Sequence, residues 1–121
     1  MKTILLVEDQ DEVRRVAQAI LRRYGYHVIE AHNGAEALAL AECDELCVGL
    51  VLTDVVMPVI SGPDLIDALT RRRPELKVVY MSGYSDHPTL RGRLAGAMVS
   101  MLHKPFPPDV LLRKVRDALA A

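Results

Sequence analysis

Residues 49–65 read GLVLTDVVMPVISGPDL. The first five, Gly49–Thr53, are an unbroken apolar run capped by a threonine. A run of that length without polar alternation is what a strand buried on both faces looks like, and such strands belong to parallel sheets. Asp54 ends the run, and an irregular loop containing Pro58 and Gly62 follows. Ser61-Gly62-Pro63-Asp64 then has the signature of a helix start, with serine as N-cap, an early proline and an acid three residues on. That helix is expected to run to about Arg72. One buried strand, a loop and a helix thus occupy about 25 residues, the unit of a strand–helix–strand crossover.

The same unit recurs on either side. Thr3–Val7 (TILLV) is a second apolar run, closed by Glu8-Asp9. Residues 11–24 place Val13, Val16, Ala17, Ile20 and Tyr24 at helical spacing, with Arg14, Arg15, Arg22 and Arg23 left for the wet side and Gly25 as C-cap. Tyr26–Glu30 reads as a strand, and Asn33-Gly34 opens a helix over 34–42 with Ala37, Leu38 and Ala41 inward. Lys77–Met81 and Met98–Leu102 read as two more strands. A loop over Ser82–Pro88 leads to a short helix near 88–95, and a last helix near 107–119 carries Leu111, Val115 and Leu119 on one face. Five such units predict a parallel sheet with helices on both faces, because the crossovers are right-handed. Ligands of these sheets bind outside the carboxyl ends of the strands.

Composition narrows the function. The 121 residues suit one domain, 50% of them are hydrophobic, and only 4% are aromatic, with no tryptophan, so the core must be aliphatic. Fifteen basic and sixteen acidic residues leave a net charge of −1, which gives no electrostatic drive towards nucleic acid or a membrane surface. Ile4–Val7 is too short for a signal segment, and Val48–Leu52 falls far below the roughly 20 residues of a membrane helix. A cytoplasmic location is expected. Cys43 and Cys47 do not have the close spacing of zinc or redox pairs and read as reduced thiols near a helix end. His27, His32, His87 and His103 are scattered and read as surface or edge residues.

The strand ends carry the chemistry. The first strand ends in Glu8 and Asp9, the third in Asp54, the fourth in Ser82 and the fifth in Lys104. With the strands in the order 2-1-3-4-5 these groups converge. Three neighbouring carboxylates repel, which raises at least one of their pKa values and invites a divalent cation. Mg²⁺ suits such a site, since it takes a few carboxylates, keeps waters and accepts a phosphate oxygen. Asp54, central and flanked by metal and by Lys104, has the placement of a carboxylate nucleophile towards phosphorus. Singly, each residue has an ordinary explanation: a cap, a turn former or a solvated charge. The joint pattern does not. Asp11, Glu12 and Glu45 fit only as cap or surface charges.

The segments ILLVEDQ (4–10), NGAEAL (33–38), LVLTDVVMPVISGPDL (50–65), VVYMSGYS (78–85) and HKPF (103–106) together resemble the receiver domains of bacterial two-component response regulators. The likeness covers nearly the whole chain, and MSGYS with KPFPPDVLLRKVRDAL is most similar to receivers attached to hybrid sensor histidine kinases. The resemblance implies a flavodoxin-like (βα)5 domain over residues 1–121, strand order 2-1-3-4-5. It implies that Asp54 is the phosphoacceptor, that Glu8 and Asp9 form the acidic pair, and that Asp9, Asp54 and the Val56 carbonyl hold Mg²⁺. Ser82 becomes the switch hydroxyl and Lys104 the phosphate-pairing lysine, with Lys104–Pro105 cis. The implied function is phosphorelay signal transduction, self-modification without turnover of a substrate. The implied partner is a histidine kinase or histidine phosphotransfer domain, not nucleic acid or membrane; a weak homodimer is the other association it admits.

One departure stands out: Met101 occupies the place, three residues before the lysine, where the family commonly has tyrosine or phenylalanine. Output is then expected through altered packing of the helix near 88–95, whose sequence RGRLAGAMVS (91–100) also fits the family poorly. Three other readings compete. An Asp-nucleophile phosphohydrolase would want an acid two residues after the nucleophile, where Val56 stands and cannot move protons. A pseudo-receiver, a phosphorylation-independent interaction module, would not need the charged groups that are all present. A nucleotide-binding flavodoxin-like protein would want GxGxxG or GxxxxGK[ST], and neither occurs.

Overall fold

The apolar runs pair side by side into one five-stranded parallel sheet in the computed structural model, which describes residues 3–43, 47–83 and 100–120. Its strands are β1 (Thr3–Val7), β2 (His27–Ala31), β3 (Val48–Asp54), β4 (Lys77–Ser82) and β5 (Ser100–His103), and its helices are α1 (Asp11–Arg23), α2 (Gly34–Ala41), α3 (Gly62–Arg72) and α4 (Pro108–Ala120). The order across the sheet is β2-β1-β3-β4-β5, as expected. Every neighbouring pair is parallel.

Alternate residues of a strand face opposite sides of the sheet, and the sequence supplies an apolar residue for both. Leu5, Val7 and Val51 pack with Ala37 and Ala41 of α2 and Leu65, Ile66 and Leu69 of α3. Ile4, Leu6, Leu50 and Leu52 pack on the other side with Ala17 and Leu21 of α1 and Leu111, Val115 and Ala118 of α4. All five residues of β1 are buried, which is why its sequence shows no polar alternation.

Local signals set the helix ends. Asn33 accepts a hydrogen bond from the Glu36 amide at 2.8 Å, and Ser61 accepts one from the Asp64 amide at 3.2 Å, so both act as N-caps. Gly25, with φ of 91°, turns the chain out of α1. No helix among the described residues is long and apolar enough to cross a membrane.

The expected inward face of α1 needs correction. Val16 and Tyr24 are exposed, while Arg14 is buried beside Ala17 and Leu21. Arg14, expected on the wet side, stands three and seven residues before Ala17 and Leu21 and so shares their face at the edge of the apolar stripe. The guanidinium crosses that boundary because it finds partners there: its NH1 donates to the Glu8 carbonyl at 2.9 Å, its NH2 to Asp11 at 2.6 Å, and its Nε lies 3.5 Å from Glu30. The described part of β5, Ser100–His103, runs one residue beyond the expected end at Leu102. The helix expected near 88–95, most of the loop before it, the start of the fifth strand at 98–99 and Glu45 lie outside the described residues.

Candidate functional site

Four strand ends bring the site together at the carboxyl edge of the sheet. The Glu8 amide continues the β1–β2 ladder by donating to the Ala31 carbonyl at 3.1 Å, and Arg14 grips the Glu8 carbonyl from the helix side. Glu8 is thereby held with its side chain fully buried, whereas Asp9, one residue on, is exposed. Asp54 is the last residue of β3 and is buried.

The backbone around Asp54 is tied on both sides. The Val55 amide donates to the Met81 carbonyl at 3.0 Å, and the Gly62 amide donates to the Val55 carbonyl at 2.8 Å. The start of α3 thus folds back onto the end of β3. A Cβ at position 62 would lie 2.2 Å from the Asp54 carbonyl oxygen, so only glycine permits this approach. Val56, whose carbonyl the resemblance assigns to metal, sits in the loop just beyond and is partly exposed.

Ser82 ends β4 and is buried. The Lys104 amide donates to the Ser82 carbonyl at 2.8 Å, and the Lys104–Pro105 peptide is cis, as expected. The lysine side chain lies over the carboxylates. Its Nζ donates to Glu8 Oε1 at 2.6 Å and lies 3.0 Å from Asp54 Oδ2. The convergence read from the strand ends is therefore met by Glu8, Asp54 and Lys104 directly, with Asp9 at the rim.

The electrostatics are those of a crowded acidic pocket with one cation. Burial, reinforced by the neighbouring Asp54 carboxylate, pushes the Glu8 carboxyl up to about 8, and Lys104 offsets this only in part. Burial alone would lower the Lys104 ammonium, but its bond to Glu8 and the charges of Asp54 and Glu8 prevail and hold it above the ordinary lysine range. Asp11, exposed and bonded to Arg14, is held below the usual carboxylate range.

The donor set fits a hard divalent cation. Glu8, Asp9 and Asp54 each present a carboxylate oxygen, all within 4.8 Å of one another. Glu8 Oε2 is buried with no hydrogen-bond partner among the described residues. An all-oxygen cluster with one uncompensated buried oxygen, half open to water at Asp9, is what Mg²⁺ coordinates.

Two residues near the site carry roles that spacing did not reveal. By spacing alone Arg14 is a solvated charge. His103 is by spacing a surface or edge residue, yet its ring Nδ1 lies 3.2 Å from the Ser82 hydroxyl. The one available signal was its position beside Lys104. A groove of about 360 Å³ also opens next to Lys104, lined by Val13 and Val16 of α1 and by Pro105 and Phe106. A smaller hollow of about 230 Å³ between α2 and α3 is lined by the ends of those helices away from the site, including Ala41, Leu69 and Arg72.

Comparison with known proteins agrees with this geometry. Residues 4–116 match the response regulator receiver domain family. The chain is 34% identical to the response regulator receiver protein CpdR of Brucella abortus, over 100% of this chain and 99% of that protein. It is 39% identical to the sensor kinase CckA of the same organism over 97% of this chain, which spans only 12% of that kinase. Among solved structures, the receiver domain of the hybrid histidine kinase CckA aligns with a TM-score of 0.79 and 34% identity, covering 97% of this chain and 98% of that one. The chemotaxis protein CheY4 of Vibrio cholerae aligns with a TM-score of 0.85 and 26% identity, covering 98% and 99%. With a parallel 2-1-3-4-5 sheet, an acidic cluster at its carboxyl edge and a lysine across it, the chain belongs to the response regulator receiver domain family of two-component signalling.

Proposed function

We propose that residues 1–121 form a single phosphoacceptor domain in which Asp54 takes a phosphoryl group from a phosphohistidine donor. The observation that carries this reading is the buried contact of Asp54 and Glu8 with Lys104, which leaves Asp54 at the centre of a pocket built for added negative charge.

A carboxylate oxygen of Asp54 attacks the donor phosphorus. The O–P bond forms as the P–N bond breaks, and the electron pair stays on the imidazole nitrogen, which is then protonated. Little covalent work falls to the protein; positioning and charge neutralisation dominate. Asp9 and Asp54, with Glu8 and the Val56 carbonyl, would hold Mg²⁺, which when bound supplies positive charge for a phosphoryl oxygen. Lys104 would exchange its carboxylate contacts for a second phosphoryl oxygen, and the Ser82 hydroxyl would donate to a third. Val56, without a transferable proton, leaves hydrolysis of the acyl phosphate slow. The domain is thus a switch that modifies itself, not a turnover enzyme.

The groove beside Lys104 suits the donor. Val16, 55% exposed on α1, gives it an apolar wall that leads directly to the site. A helical histidine kinase or phosphotransfer domain laid against this wall would present its phosphohistidine to Asp54. The domain would work in the cytoplasm, where the exposed thiols of Cys43 and Cys47 stay reduced.

Intact-protein mass after incubation with Mg²⁺ and acetyl phosphate tests the reading. One added phosphoryl group is expected in the wild type, absent in Asp54→Asn and absent with chelator. An adduct that survives in Asp54→Asn would move the acceptor elsewhere. No adduct together with no Mg²⁺ binding at millimolar metal would leave a phosphorylation-independent interaction module.

A further inference from the structure

We propose that His103 is a positioning residue that holds the Ser82 hydroxyl in the unphosphorylated protein and must release it before that hydroxyl can reach a phosphoryl group on Asp54. The proposal rests on the reading of Ser82 as the switch hydroxyl.

Three observations carry it. Ser82 and His103 are register partners on β4 and β5, and the Ser82 hydroxyl and His103 Nδ1 are 3.2 Å apart. The backbone next to this pair is fixed, because the Lys104 amide donates to the Ser82 carbonyl at 2.8 Å; any adjustment of the pair must therefore be made by side chains. The β5 residue on the same face two positions earlier is Met101, half-buried against the core that contains Leu5 and Val7, and its thioether is only a weak acceptor. On the described part of β5, the hydroxyl's polar partner is the histidine.

The chemistry makes that contact a latch. A serine hydroxyl has one proton to donate. With the imidazole proton on Nε2, Nδ1 accepts the hydroxyl proton, and the same proton is then unavailable to a phosphoryl oxygen. A charged acceptor competes well against a neutral one, since charge-assisted hydrogen bonds are about twice as strong. The exposed ring can swing away without opening the core. Position 103 thus sets how readily the domain responds, in a chain that lacks an aromatic group at 101.

The test uses beryllium trifluoride with Mg²⁺ as a stable phosphoryl mimic, titrated into the wild type, His103→Leu, His103→Asn, Ser82→Ala and the Ser82→Ala/His103→Leu pair. Binding is followed by the backbone amide NMR signals of β4 and β5. His103→Leu is expected to bind the mimic about threefold to tenfold more tightly, the factor that corresponds to one net hydrogen bond. His103→Asn, which keeps a hydrogen-bonding atom on Cγ where the imidazole has Nδ1, is expected to stay near wild type. In the Ser82→Ala background the leucine substitution is expected to change nothing. Unchanged or weaker binding by His103→Leu overturns the latch, as does tighter binding that persists without the hydroxyl. If Ser82→Ala itself binds the mimic like wild type, the switch role of Ser82 fails and the latch with it. If the wild type does not bind the mimic at all, the phosphoacceptor reading is what has failed.

Discussion

Lys104 Nζ donates to Glu8 Oε1 at 2.6 Å, a contact between residues 96 positions apart in which the glutamate is wholly enclosed and the lysine nearly so. Buried ion pairs of this kind are poor stabilisers, because desolvating two charges offsets much of their attraction. Here the pair has a second carboxylate, Asp54, against it. The arrangement is better understood as a stored imbalance than as a brace: two acids share one cation, and a metal or a phosphoryl group redistributes the partners.

Glu8 should make the metal-free protein less stable as pH rises. Its folded pKa of about 8 lies above the unfolded value of 4.5, so between the two the folded state binds the proton and the unfolded state does not. Stability from this group is complete below the unfolded value and is lost progressively up to about pH 8, with a slope approaching about 1.4 kcal/mol per pH unit for one proton. Chemical denaturation at a series of pH values with chelator checks this. Glu8→Gln should flatten the slope; an unchanged slope would assign the proton to another group.

Lys104→Met should raise Mg²⁺ affinity about threefold or more, because the ammonium occupies oxygens of Glu8 and Asp54 that a cation would use. Phosphorylation should persist in the variant, while the change in the β4–β5 amide signals that accompanies it is lost. Calorimetric Mg²⁺ titration decides the first point. Weaker metal binding in the variant would mean that the lysine organises the carboxylates instead of competing for them.

Gly62→Ala should destabilise the fold by about 2 kcal/mol or more, since the new methyl group would meet the Asp54 carbonyl at 2.2 Å and backbone must shift. The shift falls on Asp54 itself, so Mg²⁺ affinity should drop as well. Thermal unfolding with and without metal separates the two effects. An alanine variant as stable as wild type would show that α3 can withdraw from β3 without cost.

Val59→Asn should stabilise the protein by roughly 1 kcal/mol. Val59 has a φ of 69°, in the left-handed region that β-branched side chains avoid, and its side chain is fully exposed, so nothing is lost on replacement. Urea unfolding of the two proteins gives the difference directly. No gain would mean that the loop relaxes to ordinary geometry in solution.

Much of this protein is legible in its sequence. Continuous apolar runs mark β1 and β3 to within one residue at either end, because a strand buried on both faces leaves no room for polar alternation. Asn33 and Ser61 announced their helices, since capping is a local hydrogen bond between residues three apart. The polar residues that follow the runs pointed to Glu8, Asp9, Asp54, Ser82 and Lys104, because the carboxyl edge of a parallel sheet is where strand ends meet. Where spacing failed, the partners were distant in sequence. Arg14 looked solvated because nothing in α1 says that Glu30 of β2 and the Glu8 carbonyl wait beneath it. His103 looked like an edge residue because its partner, Ser82, lies 21 positions away.

The sequence by itself therefore determined the alternation of elements, their order of burial and the chemical types gathered at one edge, since these depend on periodicity and short-range bonds. Only the tertiary structure decided which carboxylate lost its water, which oxygen the lysine took and which ring stands against the serine. Those outcomes depend on desolvation and on distances of about 3 Å between groups the chain brings together from different strands.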